Sequence, residues 1–107
     1  MSLDVYLQAV RSTTIFSANV THNMSKMASA AGIYEILWRT DETNTKLAAD
    51  IIEPLRKGIE LLKSDPERFK EFNPSNGWGN YECFLEFLEN YLNACVENPD
   101  ATISWSR

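Results

Sequence analysis

The sequence predicts an α+β fold, mainly helical with about four helices, packed on a small antiparallel sheet formed by the N- and C-terminal strands. Three observations carry this. Leu3, Val5, Leu7 and Ala9 alternate with Asp4, Tyr6 and Gln8, the period of a half-buried strand. At the other end Ala101, Ile103 and Trp105 alternate with Thr102, Ser104 and Ser106. Between them the apolar residues recur at three- and four-residue spacing, as on helices that cover a core. Two strands alone are marginal in water, so the helices must supply the cover.

The elements follow in order. After the first strand, Arg11-Ser-Thr-Thr14 reads as a turn and Ile15-Phe-Ser-Ala-Asn-Val20 as a weaker extended piece, a short second strand. A helix is expected from Thr21 or Asn23, both good caps, through Met24, Met27, Ala28 and Ala31 to Gly32 as its C′ residue. A short turn of helix follows at Tyr34-Glu-Ile-Leu-Trp-Arg39. The polar run Thr40 to Thr45 reads as a loop, with Thr43 to Thr45 offering the next cap. The second long helix is placed at Thr45 to Lys63, with Leu47, Ile51, Leu55, Ile59 and Leu62 on one face. Pro54 lies inside it and predicts a kink or break near Glu53. Asp65-Pro66 is a cap followed by proline, the signature of a new helix, which presents Phe69 and Phe72 together. Asn73-Pro-Ser-Asn-Gly-Trp-Gly79 reads as an ordered loop. The last helix carries the clearest stripe, Tyr81, Phe84, Leu85, Leu88, Tyr91, Leu92 and Cys95, with Glu82, Glu86, Glu89 and Asn93 facing away.

The 107 residues suit one domain, 44% of them apolar and 23% charged, an ordinary globular mix. No apolar stretch is long enough to span a membrane, and no basic and then apolar leader opens the chain. Cys83 and Cys95 lie twelve residues apart in one helix, roughly 18 Å at the helical rise, beyond disulfide reach. Two such cysteines and a single histidine build no familiar zinc site. Reduced thiols and a cytoplasmic location are therefore expected, with no cofactor and no metal.

Ten basic residues against fifteen acidic give a net charge of −5. Residues 1–39 hold three bases and two acids, whereas residues 40–107 hold seven bases and thirteen acids. This balance argues against direct nucleic-acid binding, which needs basic patches to displace counterions. Between Asn80 and Asp100 there are five acids and no base. That run reads as a solvated helix face, or as a surface (Glu82, Glu86, Glu89) that docks on a basic groove of a protein partner.

Three polar stretches are candidates for a site. In Ser17-Ala-Asn-Val-Thr-His-Asn23 an extended segment runs into a helix, where Asn19, Thr21, His22 and Asn23, with Lys26 one turn on, offer donors near a helix N-terminus suited to phosphate or carboxylate. In Asn76-Gly-Trp-Gly-Asn80 the glycines permit close backbone approach, Asn76 adds a polar group and Trp78 a stacking surface. In Tyr34–Arg39, Arg39 can pair bidentately with an anion. Each also has a plain structural reading as cap, loop plug or surface ion pair. If the three meet, they form a concave site for an anionic, partly aromatic ligand such as a nucleotide. No nucleophile elbow, phosphate loop, dinucleotide fingerprint or zinc-protease motif occurs, so the balance falls against catalysis.

Thr21-His22-Asn23, Met27-Ala28, Ala31-Gly-Ile-Tyr34, Leu37-Trp-Arg39, Ile52-Glu-Pro-Leu55, Phe72-Asn-Pro74, Asn76-Gly-Trp-Gly79 with Tyr81, and Ser106-Arg107 resemble the motifs of a group of short uncharacterised bacterial and phage proteins. The resemblance spans nearly the whole chain and carries over no activity or residue role. A phage setting implies an anti-defence role, either a sponge for a nucleotide immune signal or an inhibitor of a host defence protein. The expectation is a non-catalytic small-ligand binder, with a protein-binding inhibitor as the alternative. Open edges of the sheet further suggest pairing into a homodimer.

Overall fold

Strand β1 (Ser2–Gln8) is the centre of the sheet and takes a partner on each side. In the computed structural model, which describes residues 2–8, 14–43, 45–74, 77 and 79–106 (Asp41 in its backbone only), β2 (Thr14–Thr21) and β3 (Thr102–Ser106) flank it, both antiparallel. The alternation holds over the strand: Leu3, Val5 and Leu7 are buried, and Asp4, Tyr6 and Gln8 lie on the outer face, while Ala9 lies outside the described residues. Val20, Ala18 and Phe16 of β2 and Ile103 and Trp105 of β3 are their cross-strand neighbours on the inner face. The second strand is a full eight residues, longer than its pattern suggested. Leu7 pairs with Phe16 but Gln8 with Thr14, so Ile15 is an extra residue, a bulge that leaves its side chain exposed. Arg11 to Thr13 of the expected turn lie outside the described residues.

The two outer edges differ. Beside β3, Ile103 N–H donates to the Lys46 carbonyl at 3.0 Å, and Leu47 bridges Thr102. The chain entering the next helix thereby covers that edge. Among the described residues nothing pairs with the outer edge of β2.

Among the described residues the α-helices are five. A 3₁₀ turn (His22–Met24) leads into α1 (Ser25–Ala30), which ends at Gly32 with φ +78°, the left-handed conformation that glycine adopts without cost. α2 (Tyr34–Trp38) is followed by a 3₁₀ turn in place of the expected loop. Thr40 is buried there because its hydroxyl donates to the carbonyls of Ile36 (2.8 Å) and Leu37 (3.2 Å).

α3 (Ala48–Ser64) begins three residues later than expected, and Thr43 and Thr45 do not cap it; their hydroxyls bond each other at 2.7 Å. Its first amides are satisfied from elsewhere. Ala48 and Ala49 donate to the carbonyls of Ala101 and Pro99, and the Asp50 carboxylate accepts from Leu47 N (3.0 Å) and Lys46 N (3.2 Å). Those bonds hold the Asp50 carboxyl below its ordinary range. The predicted break at Pro54 is absent, and α3 runs through it. An interior proline costs about 3 kcal/mol. Burial of Ile51, Leu55, Ile59 and Leu62 at about 1.5–3 kcal/mol each outweighs that loss.

Asp65 caps α4 (Pro66–Lys70) through Arg68 N, as its sequence signature predicts. α5 (Tyr81–Glu97) packs beside α3 and over the sheet. Its buried stripe is Tyr81, Phe84, Phe87, Leu88, Tyr91, Ala94 and Cys95, with Leu85 and Leu92 only partly covered. The stripe is thus rotated from the expected one toward β2, where Phe16 stacks on Tyr91 at 6.0 Å. Among the described residues no helix is long and apolar enough to cross a membrane.

Two outcomes follow from this packing. A Cβ on Gly58 would stand 2.5 Å from Cγ2 of the buried Ile33. Gly58→Ala should therefore destabilise the protein by about 1 kcal/mol in chemical denaturation although alanine favours helix, because overpacking exceeds the propensity gain. Burial also pushes the Cys95 thiol from about 9 up to about 12, and raises the neighbouring Tyr91 phenol. A raised folded-state value means that stability is complete below pH 9 and is lost as pH rises toward 12. Denaturation midpoints measured from pH 8.5 to 11 should fall, and Cys95→Ala should remove about 1.4 kcal/mol per pH unit of that slope above pH 9.

Candidate functional site

At the end of β2, Thr21 keeps an extended backbone and its Oγ1 accepts from Asn23 N at 3.3 Å. Ser25 N–H is used in turn by the His22 carbonyl. Buried Met24 anchors this turn to the core. Lys26 follows one turn after His22 on the same face. What the segment presents to a ligand is therefore its side chains, since the Asn23 and Ser25 amides are engaged and α1 has only six residues.

A second segment, fifty residues further on, closes against it. Phe69 is fully buried and fixes α4, after which Glu71 to Pro74 leave the helix. Asn73 Oδ1 accepts from Tyr81 N at 2.8 Å, and Asn80 Oδ1 from Cys83 N at 2.8 Å, so two asparagines cap α5 and set the loop. Gly79 has φ +97°, and a Cβ there would stand 2.7 Å from Thr21 Cγ2 and 3.2 Å from Met24 Cε. The loop backbone lies directly on the Thr21–Met24 turn. Between the two segments is a cleft of about 640 Å³, lined by His22, Asn23, Ser25, Lys26, Glu71, Phe72, Asn73 and Pro74.

The His22 ring meets Trp38 edge-on, 6.2 Å between centroids, and Trp38 in turn stacks on Tyr34 at 5.6 Å. His22 Nε2 is buried and has no hydrogen-bond partner among the described residues. An unpaired buried polar atom is costly, by about 1–3 kcal/mol. Lys26, exposed, forms no ion pair among the described residues, in contrast to Lys63 and Lys70.

Of the three polar stretches, the first lines the cleft, the second reaches the Thr21–Met24 turn through Gly79 while the facing wall is the preceding Glu71–Pro74, and the third contributes only Trp38 behind His22. Arg39 is exposed outside the cleft, its Nε 3.7 Å from a Glu42 carboxylate oxygen. Asn19 lies away from His22 and lines a different groove, beside α5. Thr21 is a cap, not a lining residue. Asn76 and Trp78 lie outside the described residues. Ser25, Glu71, Phe72, Asn73 and Pro74 were not singled out as candidates. The adjacent Phe72-Asn-Pro74 loop held the signal, but the cap it forms reaches eight residues ahead, beyond local spacing rules.

The acidic face of α5 divides as well. Lys63 Nζ lies 2.9 Å from Glu89, and Lys70 Nζ stands between Glu67 (3.7 Å) and Glu82 (3.6 Å). Lys70 also sits over the Tyr81 ring, whose hydroxyl donates to the Leu62 carbonyl at 2.8 Å. Burial raises the Tyr81 phenol above its ordinary value, with the Lys70 charge opposing. Among the described residues, no group of three or more His, Cys, Asp or Glu is placed to hold a metal ion. No family model, curated protein or solved structure matches the chain.

Gly79→Ala tests the closure of the cleft. A side chain there combines left-handed strain with contact on Thr21, and should cost about 2 kcal/mol in chemical denaturation. The amide resonances of Thr21 to Met24 should shift with it.

Proposed function

We propose that the protein is a non-catalytic binder of a small anionic ligand, of the nucleotide class, which it sequesters in the His22–Asn73 cleft. The observation that supports this reading is the meeting of two sequence-distant polar segments around one cleft. Lys26 brings a positive charge not used in an ion pair among the described residues, and His22 and Asn23 add polar groups beside it. Phe72 and Pro74 provide apolar surface for a flat body, and Glu71 and Asn73 supply acceptors for an amino group. A nucleotide combines these features: phosphate, planar ring and exocyclic amine. With the resemblance to phage proteins, sequestration of a nucleotide immune signal in the cytoplasm is the setting that this reading favours. The alternative, docking through Glu82, Glu86 and Glu89, is weakened by the lysines already paired with Glu82 and Glu89.

Native mass spectrometry of gently purified protein, followed by calorimetry with nucleoside phosphates and cyclic dinucleotides, tests the reading. A bound mass of a few hundred daltons per chain, or a titratable member of that panel, is expected. Lys26→Ala should weaken binding about 10- to 100-fold, the worth of a charge-assisted hydrogen bond. Its thermal midpoint should be unchanged, because Lys26 is exposed. His22→Ala should lose the ligand too. Bare chains with no heat on titration of any panel member would overturn the proposal.

A further inference from the structure

A second groove, of about 460 Å³, runs between β2 and α5 on the side of the molecule where the sheet is open. Its floor is made by Phe16 and Ala18, partly buried against the core, and its helical wall carries Glu86, Asn90, Asn93 and Glu97. We propose that this groove receives an extended, basic segment of a partner protein, which adds to the sheet as a fourth strand beside β2.

Three features of the molecule argue for this. An edge strand turns every second N–H and C=O outward, and that row is normally protected by lysine, proline, a bulge or a covering segment. β3 has such a cover in Lys46–Leu47, whereas β2, with the sequence Thr-Ile-Phe-Ser-Ala-Asn-Val-Thr, has neither charge nor proline, carries its bulge only at Ile15 near one end, and has no partner on its outer edge among the described residues. The apolar floor would take every second side chain of an added strand, in the manner of strand-addition recognition. The wall selects charge: Glu86 and Glu97 line the groove and, among the described residues, no basic residue does. Unlike Glu82 and Glu89, these two form no ion pair among the described residues. A second copy of the chain is the poorer occupant. Its β2 carries no cation, and two-fold pairing of the strands would bring the two acidic walls toward each other.

The test begins with a displayed library of random ten-residue peptides selected on the whole protein at low salt. Enrichment of extended sequences that carry both apolar residues and Lys or Arg on one alternate set of positions, the set facing α5, is expected. In synthetic copies of the best sequence, N-methylation of one alternate set of amides should abolish binding and of the other set spare it, since an added strand uses one edge only. Glu86→Gln with Glu97→Gln, both exposed side chains, should weaken binding about tenfold, and raised salt should do likewise. Hydrogen exchange should slow at alternate amides of Thr14–Thr21 when the peptide is present. No enrichment, acidic or helically spaced sequences, equal sensitivity to both methylation sets, or protection of β2 that rises with protein concentration alone would each overturn the proposal. The last would assign the edge to a second copy.

Discussion

The strand from Ser2 to Gln8 holds the rest of the molecule in place because it is paired along both edges and buried along one face. Leu3, Val5 and Leu7 are at most 1% exposed, worth about 1.5–3 kcal/mol each when removed from water. Both flanking strands must keep register with it. A slip of one residue in β2 would turn Val20 to solvent and Thr21 inward. Since β2 runs straight into the His22 turn, the register with β1 also decides where His22, Asn23 and Lys26 emerge. The C-terminal strand has a matching role: Ala101 and Ile103 hold the start of α3 through Ala48 and Lys46, so sheet and helices share one set of backbone bonds.

The cleft depends on a second constraint, the route of the chain between α4 and α5. Phe69 is buried, Asp65 and Pro66 start its helix, and Asn73 and Asn80 both terminate on amides at the start of α5. With both ends of the loop tied, its backbone is pressed onto Thr21 and Met24 at the one residue type that fits, Gly79. The positive φ there and the absent Cβ are required by contact as well as by conformation. The wall opposite His22, formed by Glu71 to Pro74, follows from this route of the chain.

Strand and helix periods were readable because they are local. The alternation of Leu3 to Leu7 and of Ala101 to Trp105, the cap at Asp65-Pro66 and the extent of α5 needed no tertiary knowledge. The long-range features were not readable. The start of α3 is set by carbonyls of Pro99 and Ala101, fifty residues away, rather than by the nearby threonines. Pro54 is tolerated because packing outweighs one lost bond, a balance that local propensity omits. Phe87 joins the core in preference to Leu85 because β2 approaches α5 from that side, where Phe16 and Tyr91 stack. For the cleft, the residue types of His22, Asn23 and Lys26 pointed to it, yet only the fold shows that Asn73 stands opposite and Arg39 does not.

The charge asymmetry of the sequence acquires a spatial meaning from the same packing. The excess acid of residues 40–107 is not a uniform face: Lys63 and Lys70 neutralise the side of α5 that adjoins α3 and α4, where Glu82 and Glu89 project. The α5 carboxylates that form no ion pair among the described residues, Glu86 and Glu97, are left on the side facing β2. Lys26, from the less acidic first third of the chain, stands instead at the cleft beyond the other end of that strand. One strand therefore separates two surfaces of different charge, a groove carrying Glu86 and Glu97 and a cleft carrying Lys26 with Glu71. Counterion screening, about 8 Å at physiological ionic strength, keeps fields of this kind local, so the charge of one surface is felt only weakly at the other.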